Sequence, residues 1–101
     1  MNMKIIFNKE TVIFLDSLNT EDKVRIDRIK ELFETYGFQI GPKYIKKIRS
    51  NLWELRASKV RIFLCIKRNF AYGVHAFHKK TQKLPKQKIK LSIKRCNQYE
   101  N

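Results

Sequence analysis

The spacing of apolar positions changes once along the chain, near Pro42. Before it, Lys4-Ile5-Ile6-Phe7 is a short apolar run that predicts a strand. Val12, Ile13 and Leu15 lie within a turn or two of one another and predict a short helix over Lys9–Asp16. Val24, Ile26, Ile29, Leu32, Phe33 and Tyr36 then recur at three- and four-residue spacings. That is one broad face of a helix over Glu21–Tyr36. Asn19 or Thr20 can accept a bond from a first-turn N–H, Glu21 and Asp22 suit the positive end of the helix dipole, and Gly37 suits its C-terminal stop.

After Pro42 the period becomes two. Tyr44–Ile48 is basic and irregular. Leu52–Ala57, Val60–Ile66 and Tyr72–Phe77 are rich in β-branched and aromatic residues and predict antiparallel strands. If Ser58-Lys59 is a two-residue turn, Ala57 faces Val60, Arg56 faces Arg61, Leu55 faces Ile62 and Glu54 faces Phe63. Side chains alternate between the faces of a sheet. One face then carries Trp53, Leu55, Val60, Ile62, Leu64 and Ile66, ready for a helix to cover. The other carries Glu54, Arg56, Arg61, Phe63 and Cys65. Beyond Pro85, Ile89, Leu91 and Ile93 alternate like a strand, while Ile89, Ile93 and Cys96 fit a helix that begins at Pro85. Pattern alone leaves both open.

Composition adds scale and charge. The 101 residues suit one domain spanning 1–101. No apolar run approaches the roughly 18 residues needed to cross a bilayer, and Met1–Phe7 lacks the features of a secretory signal. The expectation is a cytoplasmic protein with no membrane role. Cys65 and Cys96 have no metal-binding spacing and are expected to be buried or half-buried free thiols. The net charge of +14 is unevenly distributed. Residues 1–34 carry six basic and seven acidic side chains, whereas residues 35–101 carry seventeen basic and only two acidic, Glu54 and Glu100. Such segregation creates a field that attracts polyanions, nucleic acid first. Solubility needs a charge of only about 2–8 and no segregation.

The predicted sheet face offers the chemistry. Arg56 and Arg61 can grip phosphate bidentately, and their cross-strand repulsion is eased where an anion sits between them. Lys79 and Lys80 follow the last strand and come close if sheet order follows the hairpins. Lys46, Lys47, Arg49 and Lys83 extend the basic set. Phe63, Tyr72 and His78 are candidates for stacking on an unpaired base. RNA carries its own nucleophile, so a nuclease that uses the 2′-hydroxyl needs positioning, a base, a cation for the phosphorane charge and an acid, but no metal. Glu54 shares a strand face with Arg56 and either acts as the base or orients the arginines. A lysine among positive neighbours is another base candidate. His78 is a candidate acid or base, and His75, on the opposite strand face, is read as structural. Gly-rich phosphate loops, Cys/His metal spacings and serine nucleophile elbows are absent, and acids are too few for a two-metal nuclease. No cofactor is expected.

Leu52-Trp53-Glu54-Leu55-Arg56, Val60-Arg61-Ile62-Phe63 and His75-Ala76-Phe77-His78-Lys79-Lys80-Thr81-Gln82-Lys83-Leu84-Pro85 together resemble the HigB-type branch of the RelE toxin superfamily. The resemblance implies an α+β, microbial-RNase-like antiparallel sheet, with two N-terminal helices on one face and a C-terminal helix after Pro85. It implies an endoribonuclease toxin of a type II toxin–antitoxin system. Such a toxin cleaves mRNA, commonly on the translating ribosome and without metal, leaving 2′,3′-cyclic phosphate and 5′-hydroxyl ends. The implied partners are mRNA, the ribosome and an antitoxin with a helix-turn-helix DNA-binding domain, through which alone operator DNA is reached. Arg56 and Arg61 match the family's phosphate-gripping strand arginines, and Lys79 and Lys80 its basic pair after the last strand. The bland alternatives are a non-catalytic basic RNA-binding module and a subunit that docks an acidic protein.

Overall fold

A computed structural model describes residues 3–81, 83 and 85–99. Gln82 and Leu84, within the basic run quoted above, lie outside the described residues. The elements are β1 (Lys4–Phe7), α1 (Lys9–Asp16), α2 (Thr20–Tyr36), β2 (Ile45–Arg49), β3 (Leu52–Ala57), β4 (Val60–Lys67), β5 (Phe70–His78) and α3 (Lys86–Cys96). Short 3-10 turns at Gly37–Ile40 and Asn97–Tyr99 follow α2 and α3. Among the described residues, no helix is long and apolar enough to cross a membrane.

Local chemistry explains the helix starts. Asn8 caps α1 by accepting from Thr11 N at 2.9 Å, and Asn19 caps α2 by accepting from Asp22 N at 2.9 Å. Asn8 also donates from Nδ2 to the Val74 carbonyl at 3.0 Å, which fastens the start of α1 to β5. Gly37 ends α2 with φ 60, a conformation that a side chain disfavours.

The five strands run in the order β1-β5-β4-β3-β2. β2 to β5 form an antiparallel meander, and the β3–β4 register agrees with the alternation pattern pair for pair from Glu54↔Phe63 to Ala57↔Val60. The sheet as a whole is mixed and not antiparallel, because β1 lies parallel to β5, with Lys4 opposite Phe70 and Phe7 opposite Gly73. The two N-terminal helices carry the chain to the far edge of the sheet, and three hairpins bring it back running in the direction of β1. Gly73 permits that seam: a Cβ there would run into the Phe7 ring.

Each face of the sheet has its own core. On the first face, Leu18, Ile26, Ile29 and Phe33 pack on Leu55, Val60, Ile62, Leu64, Ala71 and Ala76. On the second, Ile89 and Cys96 pack on Leu52, Phe63, Cys65, Val74 and Phe77, with Ile93 and Tyr99 beside them. The residues after Pro85 are thus helical, and α3 covers a sheet face that the pattern left open to solvent. The free-thiol expectation is overturned. Cys65 and Cys96 form a disulfide across a Cα–Cα distance of 5.7 Å, because β4 and the end of α3 meet in the second core.

Candidate nucleic-acid interface

The β3–β4 hairpin places Arg56 directly across from Arg61. Both lie on the second sheet face, at the end that α3 leaves uncovered. Two opposed guanidinium groups repel, so each needs other partners. Glu54 lies two residues before Arg56 on the same face and is only 1 % exposed. Its Oε1 accepts from Arg56 Nε at 2.9 Å. Arg61 turns back over the hairpin, and its Nη1 donates to the Ser58 carbonyl at 2.6 Å and the Val60 carbonyl at 3.1 Å. Burial lowers the Arg61 pKa from its ordinary value, Glu54 opposes that shift and Arg56 adds to it. Among the described residues, Glu54 Oε2 and Arg61 Nε have no hydrogen-bond partner although both are buried. The two arginines are therefore held in place by the hairpin before any ligand arrives.

Lys79 N donates to the Lys59 carbonyl at 2.7 Å, which pins the segment after β5 to the hairpin turn. The result is an open cleft of about 310 Å³ lined by Arg56, Ser58, Lys59, Arg61, Lys79, Lys80 and Thr81. Five of those seven side chains are cations and none is an acid, so an anion meets donors on both walls. A smaller cleft adjoins it, lined by Phe77, Lys80, Lys83, Pro85 and Lys88 among others. Lys88 Nζ sits 4.2 Å from the centroid of the Phe77 ring there.

The structure thus brings together Arg56, Arg61, Lys79 and Lys80, with Glu54 beneath the arginines and Lys83 in the adjoining cleft. Other expected members lie elsewhere. Phe63 is fully buried in the second core, 5.2 Å from Phe77 edge-on, so it offers no base-stacking surface. Tyr72 stacks on Tyr99 at 4.1 Å. His78 pairs with Val60, which puts it on the face opposite the arginines, with its ring 5.3 Å from Phe14. Lys46, opposite Glu54, shares the arginine face of β2; Lys47, opposite Trp53, lies on the other face with its ammonium 6.0 Å from the indole centroid. Arg49 is exposed at the far end of β2, past a register shift.

His75 takes the position the pattern suggested for His78. It pairs with Phe63 on the arginine side of the sheet, while His78 is on the other side, so the two histidines do face opposite ways. Arg95 Nη1 lies 3.4 Å from His75 Nδ1 and donates to the Val74 carbonyl at 2.7 Å. Burial, then Arg95, then Lys88 lowers the His75 pKa from its ordinary value. Sequence reasoning passed over Lys59, Ser58, Thr81 and Lys88 as site residues. Lys59 was recoverable, since it occupies the turn between the two arginine strands.

Comparison with known proteins gives this geometry relatives. No curated protein matches the sequence. A chain of the archaeal RelE-RelB complex from Pyrococcus horikoshii OT3 superposes with a TM-score of 0.68 at 15 % identity, over 78 % of this chain and 97 % of that one. A chain of the RelB-RelE antitoxin-toxin complex from Methanococcus jannaschii superposes with a TM-score of 0.59 at 22 % identity, over 72 % of this chain and 88 % of that one. Those likenesses show a RelE-like α+β fold. Residues 13–97 match the family described as "Phage derived protein Gp49-like (DUF891)". With that match running from α1 to the end of α3, the chain belongs to the Gp49-like family of phage-derived proteins.

Proposed function

We propose that the protein is the toxin of a type II toxin–antitoxin pair and cleaves mRNA as a metal-independent endoribonuclease. The observation that carries the reading is the cleft in which Arg56 and Arg61, held by Glu54 and the hairpin carbonyls, face Lys79 and Lys80. The RelE-like fold, seen in complexes whose descriptions name RelE with RelB, supports a toxin with an antitoxin partner. The HigB-type motifs support cleavage on the translating ribosome and an antitoxin carrying a helix-turn-helix domain.

The chemistry follows from the charges. The RNA 2′-hydroxyl gives its proton to a water in the open cleft as its oxygen attacks the adjacent phosphorus, the bond to the 5′-oxygen breaks, and that oxygen takes up a proton, so a 2′,3′-cyclic phosphate and a 5′-hydroxyl result. Arg56 and Arg61 bind the non-bridging oxygens and take up the phosphorane charge. Lys79 or Lys80, which line the same cleft, hands a proton to the leaving oxygen. Glu54 orients Arg56 from below, since its Oε1 is already engaged and its side chain is buried.

A second reading, a non-catalytic RNA-binding module, is favoured by one observation. The cleft lining has no carboxylate, and the His78 ring packs on the other side of the sheet. Product analysis separates the two readings. The gene is induced without a neighbouring antitoxin and new mRNA 5′ ends are mapped, with Arg61→Ala as the control. New 5′-hydroxyl ends within coding sequences, absent in the control, support cleavage. RNA binding without new ends leaves the binding module.

A further inference from the structure

We propose that Cys65–Cys96 is a reversible thiol–disulfide switch that sets whether α3 stays seated over the second core and the edge of the basic cleft. Only the effect on RNA rests on the nuclease reading; the movement of α3 stands on its own.

Local chemistry argues against α3 holding its place unaided. Its N-cap, Pro85, makes no side-chain cap bond, and its first turn has no acid but does contain Lys86 and Lys88. Those cations oppose the positive end of the helix dipole. The Ser92 hydroxyl donates back to the Lys88 carbonyl at 2.7 Å, a bond that slightly disfavours a helix interior. From Lys86 to Cys96 the helix has five cations and no acid, and it docks on the sheet face that bears Arg56 and Arg61. Against this stand a few apolar contacts from Ile89, Ile93, Cys96 and Tyr99, and the Arg95 bond to the Val74 carbonyl. A covalent link at the last residue of α3 changes that balance, and it closes a separation of 31 residues.

The exchange step is balanced. A thiolate of a small dithiol reductant attacks Cys96 Sγ, the Sγ–Sγ bond breaks and Cys65 leaves as a thiolate that takes a proton. The reductant's second thiol then displaces Cys96, so the protein gains two thiols and the reductant becomes a disulfide. Both cysteines are buried, at 0 % and 2 % exposure, so attack requires the end of α3 to open. Once reduced, α3 can leave. It carries away Lys88 and Pro85, which line the cleft beside Lys80, and it uncovers Phe63 and Phe77.

The test uses the full chain, oxidised with oxidised glutathione or reduced with dithiothreitol, and follows amide hydrogen exchange. On reduction, amides of residues 89–96 should lose at least about a hundredfold more protection than those of Ile26–Phe33 in α2. RNA cleavage should fall about tenfold or more on reduction and return on reoxidation. A Cys65→Ser/Cys96→Ser double variant should ignore the reductant. Failure of the cysteines to pair, unchanged protection in α3, or equal losses in α3 and α2 would each overturn the switch. Released α3 with unchanged cleavage would overturn its control of the cleft. Cleavage absent from both redox states, with α3 still released, would sink the nuclease reading and leave the switch standing.

Discussion

The two faces of the sheet are built from different materials. The first is closed by α2 and α1 through Phe33, Ile26, Ile29, Leu18 and their strand partners, with a side-chain cap at the start of each helix and acids in the first turn of each. The second is closed by a single helix without a side-chain cap, with lysines where acids belong, over a smaller cluster and a disulfide. Local propensity and tertiary packing agree on the first face and conflict on the second. Such conflict tends to mark where function competes with stability. Here the competing demand is positive charge: the cations that make the cleft attractive to an anion also weaken the helix that borders it. The first face holds the chain together, and the second is where its state can change.

The largest expected effect tests the first half of that contrast. Phe33 is fully buried, so Phe33→Ala should cost about 3–5 kcal/mol of global stability in denaturant unfolding. Ile89→Ala, on the second face, removes a side chain of similar burial but should cost less than about 2 kcal/mol globally, because α3 can open on its own. Equal losses at the two positions would erase the distinction between the faces.

Next in size is the cleft itself. Arg61→Ala should lower RNA cleavage by about 100- to 1000-fold, the scale for losing one preorganised donor to a developing anion. Its thermal midpoint should change little, since among the described residues Arg61 donates only to carbonyls of its own hairpin. A folded Arg61→Ala protein that still cleaves would remove the second face from the chemistry. RNA binding should weaken with salt at a log–log slope of about −0.7 per phosphate contacted, and Arg61→Ala should make that slope shallower by about one such step. Glu54→Gln is a finer probe. If Glu54 only orients Arg56, the amide keeps an acceptor and activity should fall about tenfold; a general base would lose about 100- to 10,000-fold. Parallel measurement of folding by circular dichroism separates either result from unfolding.

The same contrast decides what was legible in the sequence. The helices over residues 9–16 and 20–36 and the β3–β4 register were readable because each depends on spacing within a few residues of the element itself. The Arg56–Arg61 pair came with that register. The parallel β1–β5 seam was not readable, because it joins residues about 66 apart and its one clue, Gly73 under the Phe7 ring, has meaning only once the strands are neighbours. His78 was placed on the arginine side because β4–β5 register was unknown, and the pairing Arg61↔Phe77 gives that side to Phe77 and His75. The disulfide lacked any local signature. Its partners meet only because α3 folds back on β4, and the helical-versus-strand ambiguity after Pro85 hid that event. Phe63 misled for a related reason. Its alternation was right, but the face it points to was assumed open, and α3 closes it.

The smallest effect is also the most specific to the second face. His75 is held below its ordinary pKa, chiefly by burial and then by Arg95 and Lys88. The folded protein thus favours the neutral ring, which can accept at Nδ1 from Arg95. As pH falls, the unfolded chain binds this proton first, near its ordinary value of about 6.5. The stabilisation is therefore full above that value and lost as pH falls from there toward the folded pKa. Protonation in the folded state would also set a third cation against Arg95 and Lys88, the two that α3 brings to the sheet. Thermal midpoints and exchange rates of residues 89–96, compared between pH 7.5 and 5.5, should show wild type losing more than His75→Gln, whose side chain does not titrate. Equal losses in both proteins would take His75 out of the acid response of the second face. A wild type that gains stability on acidification would mean that the folded state welcomes the proton, and would contradict the cationic crowding that sets the second face apart.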